Sequence, residues 1–198
     1  MHQTILSHFR SRDPRIADLI EIFKVKELVA DHPRTFFASL CGIIIGQQLS
    51  GRVADVIEGR LKKAVKRITP KNIAHTPDET LRNTGMSWSK VRFIKDVAEK
   101  VLTNELDLLQ VRSLNDVGVV SELTKVKGVG PWTAEMFLMF TLGRPDVFSF
   151  GDLGLRRAIQ ELYTLKKEPT VKQMEKISRV WIPYRTYAAL ALWKFKDR

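Results

Sequence analysis

A chain of 198 residues, 44% of them hydrophobic, can bury a substantial core, and an even composition with 11 Gly and 8 Pro excludes a low-complexity or disordered protein. A single cysteine excludes an intrachain disulfide framework and an iron–sulfur cluster held by four thiolates of this chain. The formal net charge of +11 favours a polyanionic partner, nucleic acid being the commonest, with a plain basic surface or an anionic-membrane surface as the alternatives that charge alone leaves open.

The opening Met1–Arg12 is polar and lacks the apolar h-region of a signal peptide, and no apolar run is long enough to span a bilayer. A soluble, intracellular protein with no membrane partner is expected. Pro33 suits a first helical turn, and Phe36, Phe37, Leu40, Ile44 and Ile45 then mark a thick apolar helix, with Cys41 inside it as a small core residue. Gly46 interrupts that helix, and Gln47-Gln48-Leu49-Ser50 forms a polar corner. Ser50 can cap a second helix whose apolar side is Val53, Ala54, Ile57, Leu61, Ala64 and Val65. Its end carries part of a run from Gly59 to Asn72 that holds Arg60, Lys62, Lys63, Lys66, Arg67 and Lys71 with no acid among them.

Thr76-Pro77-Asp78-Glu79 reads as a capping box with proline at the first helical position, opening a short helix that stops near Gly85. Ser87 caps the next, with Val91, Ile94, Ala98, Val101 and Leu102 at helical spacing. Further helices are expected over Asp116–Thr124, Trp132–Leu142, Leu153–Tyr163, Val171–Val180 and Tyr184–Phe195. Strand is improbable except near Val147–Phe150, so the chain reads as all-α, with eight to ten helices.

Between two of these helices lies Leu123-Thr-Lys-Val-Lys127-Gly128-Val129-Gly130-Pro131-Trp-Thr-Ala134. Gly128 and Gly130 can take backbone conformations closed to other residues and let a phosphate approach bare main chain. Val129 is expected to turn inward, and Leu123 and Ala134 to pack the flanking helices together. Pro131 suits the first helical turn, and the N–H groups beyond it form an anion site beside Lys125 and Lys127. No strand precedes the turn and a third glycine is missing, so it is not a dinucleotide fingerprint.

With the stretch that follows, through Pro145-Asp-Val-Phe-Ser-Phe-Gly-Asp152-Leu-Gly-Leu-Arg-Arg157, the chain resembles the helix-hairpin-helix DNA glycosylase superfamily. Within it, Gly46-Gln-Gln-Leu-Ser50, Gly85-Met86 followed by Lys90, Gly-Val-Gly-Pro-Trp-Thr-Ala, and Trp181-Ile-Pro-Tyr-Arg-Thr-Tyr-Ala188 are similar to the 3-methyladenine DNA glycosylase II branch. The resemblance runs from about Pro33 to Phe195. It implies a single glycosylase core over residues 1–198, built of two α-helical lobes with a central cleft, in a compact form without the N-terminal α/β domain of larger members. The implied partner is double-stranded DNA containing damaged bases, the expected state a monomer, and no cofactor or metal is implied. Location follows the source: the cytoplasm at the nucleoid in a prokaryote, the nucleus in a eukaryote.

The resemblance also assigns roles. Asp152 becomes the catalytic carboxylate, although an aspartate just before a helix is equally an ordinary N-cap. Trp132, Met136, Trp181 and Tyr184 become candidate walls of the base pocket, where aromatic faces favour a cationic alkylbase; core packing is the plain alternative for both tryptophans. Gln48 or Leu49 becomes the wedge that fills the gap left by a flipped nucleotide. Lys125, Lys127, Gly128, Val129 and Gly130 form the phosphate-binding hairpin. Members that also cut the strand carry a lysine two places after the second hairpin glycine; Trp132 stands there, so a monofunctional glycosylase of alkylated purines such as 3-methyladenine and 7-methylguanine is expected. Asp146 reads as a structural loop residue. A DNA-binding protein with weak or lost catalysis, and a glycosylase for hypoxanthine, ethenoadenine or an oxidised purine, remain as alternatives.

Overall fold

A computed structural model describes residues 2–198 and is all helical, with no strand among them; Met1 of the polar opening segment lies outside. The α-helices are, in chain order, α1 (His2–Arg12), α2 (Pro14–Ile22), α3 (Phe36–Gly46), α4 (Gly51–Val65), α5 (Pro70–His75), α6 (Asp78–Arg82), α7 (Trp88–Leu102), α8 (Leu108–Val111), α9 (Asp116–Leu123), α10 (Pro131–Met136), α11 (Leu153–Leu162), α12 (Val171–Ser178) and α13 (Arg185–Lys196). Thirteen such helices among the described residues exceed the expected eight to ten: α5 and α8 are only one or two turns long, α1 is polar in sequence, and α2 is a nine-residue helix that buries Ile16, Ala17, Leu19 and Ile20. Within α1, Ile5 and Phe9 stand one turn apart and are 1% and 0% exposed, so the helix buries one narrow stripe and leaves the rest polar. No helix among the described residues is long and apolar enough to cross a membrane.

The chain divides into two compact units. One is formed by the residues up to Val29 together with Gly143–Arg198. Here α13 packs against α2 and α11, and α1 against α2. Its loop Arg144–Asp152 contains the stretch Val147–Phe150 where a strand was thinkable. That stretch is irregular, and side chains of α13 hold the start of the loop from Arg144 to Val147. Thr186 Oγ1 donates to the Arg144 carbonyl at 2.7 Å and accepts the Val147 N–H at 2.9 Å. Arg185 grips the Asp146 carboxylate through Nε at 2.8 Å and Nη2 at 2.9 Å, which gives Asp146 the structural role expected of it.

The other unit is Ala30–Leu142. Here α3 is the central helix, with Phe36, Leu40, Cys41, Ile44 and Ile45 each 0–1% exposed, and it packs on α4, α7 and the chain beyond α10. α10 continues into a π-helical turn over Phe137–Thr141. Ser87 caps α7 by accepting the Lys90 N–H. Two expected caps differ. Ser50 has extended cap geometry but makes no side-chain cap bond. The Thr76 hydroxyl closes α5 instead, donating to the Asn72 carbonyl at 2.7 Å, so α6 starts at Asp78 with no side-chain cap. A complete capping box stands at Thr170 and Gln173.

Candidate active site

The hairpin joins α9 to α10. Leu123 and Ala134 are fully buried and Val126 and Val129 are 2% and 4% exposed, so the turn is pinned from inside by its apolar residues. Asp96 of α7 accepts the Lys127 backbone N–H at 2.9 Å. Gly128 has φ +81, and a Cβ there would fall 2.2 Å from the Phe93 ring, so glycine is required both by conformation and by space. Gly130 corrects the expectation: its φ of −93 is open to any residue. Nothing lies within 4 Å of where a Cβ would stand, so neither conformation nor packing within the protein requires glycine there. Lys125 and Lys127 are exposed, Lys125 holding Glu122 at 2.6 Å in a surface pair.

In the same unit, the corner after α3 presents Gln48 and Leu49 outward, Leu49 at 38% exposure and Gln48 with a left-handed φ of +57. Its neighbour Gln47 turns inward, Nε2 donating to the Gly128 carbonyl at 3.0 Å and to Thr133 Oγ1 at 2.8 Å. Lys90 of α7 donates from Nζ to the carbonyls of Ile45 and Gln47, both at 2.7 Å. Partial burial holds its ammonium pKa below the ordinary lysine value. Sequence reading marked Gln47 and Lys90 only as motif letters; their bonds depend on a fold that brings the corner to the hairpin. Trp132 is half-buried in the first turn of α10, and Met136 is buried at the end of that helix. The basic run leaves Arg60, Lys62, Lys63, Lys66, Arg67 and Lys71 all exposed, with Lys62 paired to Glu58 at 2.6 Å.

In the other unit, Asp152 stands as N-cap of α11. Its Oδ1 accepts the Leu155 N–H at 2.8 Å and the Trp193 Nε1–H at 3.2 Å. Trp193 was not singled out from sequence. No local sequence signal points to it, because its partner lies far away in the chain. A Cβ at Gly154 would meet the Trp193 ring at an ordinary 3.5 Å but crowd Asp152 Oδ1 at 3.1 Å, so the small residue spares the carboxylate. Tyr184 is half-buried, its ring edge-on to His8 at 5.2 Å.

Trp181 is a correction. It is 0% exposed, donates from Nε1 to Asp13 Oδ2 at 2.7 Å and packs on Phe148 at 5.5 Å. Its indole is committed to a buried network that also includes the Tyr163 hydroxyl on Asp13, so it is a core residue and offers no face for a base.

The family model described as HhH-GPD superfamily base excision DNA repair protein matches residues 41–184, a span that includes the corner, the hairpin, Asp152 and Tyr184. The chain belongs to the HhH-GPD superfamily. This HhH-GPD protein is a hydrolase of base excision repair similar to DNA-3-methyladenine glycosylases. It is 33% identical to DNA-3-methyladenine glycosylase 1 of Schizosaccharomyces pombe over 80% of its own length and 71% of that protein. Among solved structures, it is similar to a DNA-3-methyladenine glycosidase from Bacillus halodurans, at 36% identity and a TM-score of 0.78, covering 97% of this chain and 88% of that one. It is also similar to the S. pombe 3-methyladenine DNA glycosylase Mag1 in complex with abasic DNA, at 28% identity and a TM-score of 0.86, covering 96% and 95%.

Proposed function

We propose that this HhH-GPD protein is a monofunctional DNA glycosylase that binds double-stranded DNA and releases alkylated purines, 3-methyladenine and 7-methylguanine among them, with Asp152 as catalytic carboxylate. The observation that carries the reading is the anchored carboxylate. Asp152 sits at a helix start with Oδ1 fixed by the Leu155 amide and the Trp193 indole, in a chain similar over nearly all its length to enzymes named for 3-methyladenine.

The chemistry needs little more than placement and charge. In an alkylated purine deoxynucleotide such as that of 7-methyl-2′-deoxyguanosine the base is cationic, so breaking its C1′–N bond releases a neutral base and shifts positive charge onto the sugar. A fixed carboxylate stabilises that charge. Water then bonds to C1′, and its proton passes to Asp152 or onward to solvent. An electron-rich ring from Trp132 or Tyr184 would favour a cationic base over a neutral one. Gln48 or Leu49 would fill the space in the stack, and the hairpin would hold a phosphate. Trp132 at the position of the strand-cutting lysine supports hydrolysis without a covalent intermediate.

The test is incubation of the purified protein with duplexes bearing single lesions. Release of free 3-methyladenine or 7-methylguanine, with strand breakage only after alkali, is expected. Tight binding with no release from any lesion would favour a DNA-binding protein instead, and release confined to hypoxanthine, ethenoadenine or an oxidised purine would move the substrate class.

A further inference from the structure

The wedge corner is exposed and carries a left-handed, non-glycine residue, Gln48, at its tip. Such a corner would yield under load unless its surroundings over-determined it. Two side chains do so. Lys90 takes the carbonyls of Ile45, in the last turn of α3, and of Gln47, its C-cap, where helical carbonyls lack partners and a cation is favoured. Gln47 spends both N–H bonds of its amide on the hairpin: one on the carbonyl of Gly128, the residue that must be glycine, and one on Thr133, buried in the first turn of α10. The corner and the hairpin are therefore joined through one amide and braced by one ammonium.

We propose that Gln47 and Lys90 are positioning residues that set the wedge at a fixed height and angle relative to the phosphate-gripping turn, so that binding energy gained at the hairpin drives the wedge into the base stack. The inference rests on the reading of Gln48–Leu49 as the wedge. It follows from mechanics: inserting a side chain works against base stacking, and a wedge on a loose corner would recoil and let the nucleotide return to the helix. Neither residue touches the base or the sugar in this scheme. Loss of either should therefore separate two properties that a simple folding defect would lower together: grip on any duplex, and opening of the damaged one.

The experiment uses the full chain and a duplex with one 7-methylguanine beside a 2-aminopurine, whose fluorescence rises when it unstacks. Gln47→Glu keeps the shape but replaces both donors and sets an oxygen against the Gly128 carbonyl; Lys90→Met keeps the stem without the charge. Each should cut the fluorescence rise and the single-turnover release rate at least tenfold. Affinity for an undamaged duplex should change less than threefold, measured at a temperature where circular dichroism shows each variant folded. Lys90→Arg, which retains donors for both carbonyls, should recover to within a few-fold of wild type. Variants that open and cleave like wild type overturn the inference. So does an equal loss of undamaged-duplex binding and opening, or a failure of Lys90→Arg to recover. Wild-type protein that binds but neither unstacks nor releases the base would overturn the glycosylase reading itself, a failure recognisable because it precedes any substitution.

Discussion

Nε1 of Trp193 lies 3.2 Å from Oδ1 of Asp152, the same oxygen that takes the Leu155 amide at 2.8 Å. One carboxylate oxygen thus serves as the cap of α11 and as the acceptor of an indole from α13. The two roles that compete for this aspartate in sequence reading, helix cap and catalyst, are compatible in one geometry, and substitutions can separate them.

Asp152→Asn keeps an oxygen able to accept both N–H groups and removes only the charge. Single-turnover base release should fall about 100- to 1000-fold, the range for losing one preorganised electrostatic group, with Tm and duplex affinity nearly unchanged. Asp152→Ala should lose the rate and also the cap, lowering stability by about 1 kcal/mol. Undiminished release by the asparagine variant would remove Asp152 from the chemistry and leave it a cap.

Trp193→Phe retains a ring against Gly154 but deletes the N–H donor. If the indole orients the carboxylate, release should slow by about fivefold, corresponding to the roughly 1 kcal/mol of one hydrogen bond, with undamaged-duplex affinity unaltered. The double variant Trp193→Phe with Asp152→Asn should be no slower than Asp152→Asn alone, because the bond acts only through the charge. Additive losses would show that Trp193 acts independently, through its ring.

Borohydride added during turnover should trap no protein–DNA adduct. Trp132 has no amine, and Lys125 and Lys127 precede the turn. A trapped adduct would establish an imine and with it a second, strand-cutting activity. The lysine that formed it could then be located by peptide mapping.

How much of this was legible beforehand depended on the range of the interactions. The hairpin was readable because its residues are contiguous: Leu123, Val129 and Ala134 bury where local packing demands, and Gly128 takes its left-handed conformation. Gly130 shows the limit, since residue type alone does not distinguish a glycine needed for φ from one that neither φ nor packing requires. Among the aromatics, Trp181 and Trp193 were indistinguishable by composition. Their roles are set by partners far away in sequence: Asp13 draws the first into the core, and Asp152 holds the second at the head of α11. The same holds for Gln47, whose partners Gly128 and Thr133 come from another part of the chain.

Cys41 offers a check on the core of the second unit. It is fully buried in α3, and burial, with the Glu58 carboxylate adding to it, pushes the thiol pKa far above its ordinary value. No reactive thiolate should form near neutral pH. Iodoacetamide should leave the native protein unmodified at pH 8 and alkylate one cysteine once guanidinium unfolds it. Rapid native labelling would show that α3 exposes its buried face.

The hairpin lysines can be tested through salt. Lys125 and Lys127 are exposed and flank a turn whose backbone at Gly130 is open, so they should position a phosphate without reading the lesion. Converting both to alanine should weaken damaged and undamaged duplexes by similar factors and flatten the log–log salt dependence by about 0.9 for each phosphate no longer neutralised. The two need not contribute equally. Lys125 must exchange its pairing with Glu122 for the phosphate, but an exposed pair of this kind is worth only about 0–1 kcal/mol, a small barrier to that exchange. Lys127→Ala alone should therefore reproduce at least half of the change in slope. Gly130→Asp should be more harmful than either if the hairpin holds a phosphate, because it puts bulk and negative charge into open space beside the turn while its φ of −93 leaves the fold unstrained. An unchanged slope in the double-lysine variant, with its helical circular-dichroism signal intact, would assign the electrostatic grip to the exposed run Arg60–Lys71 and leave the hairpin only its backbone to hold DNA.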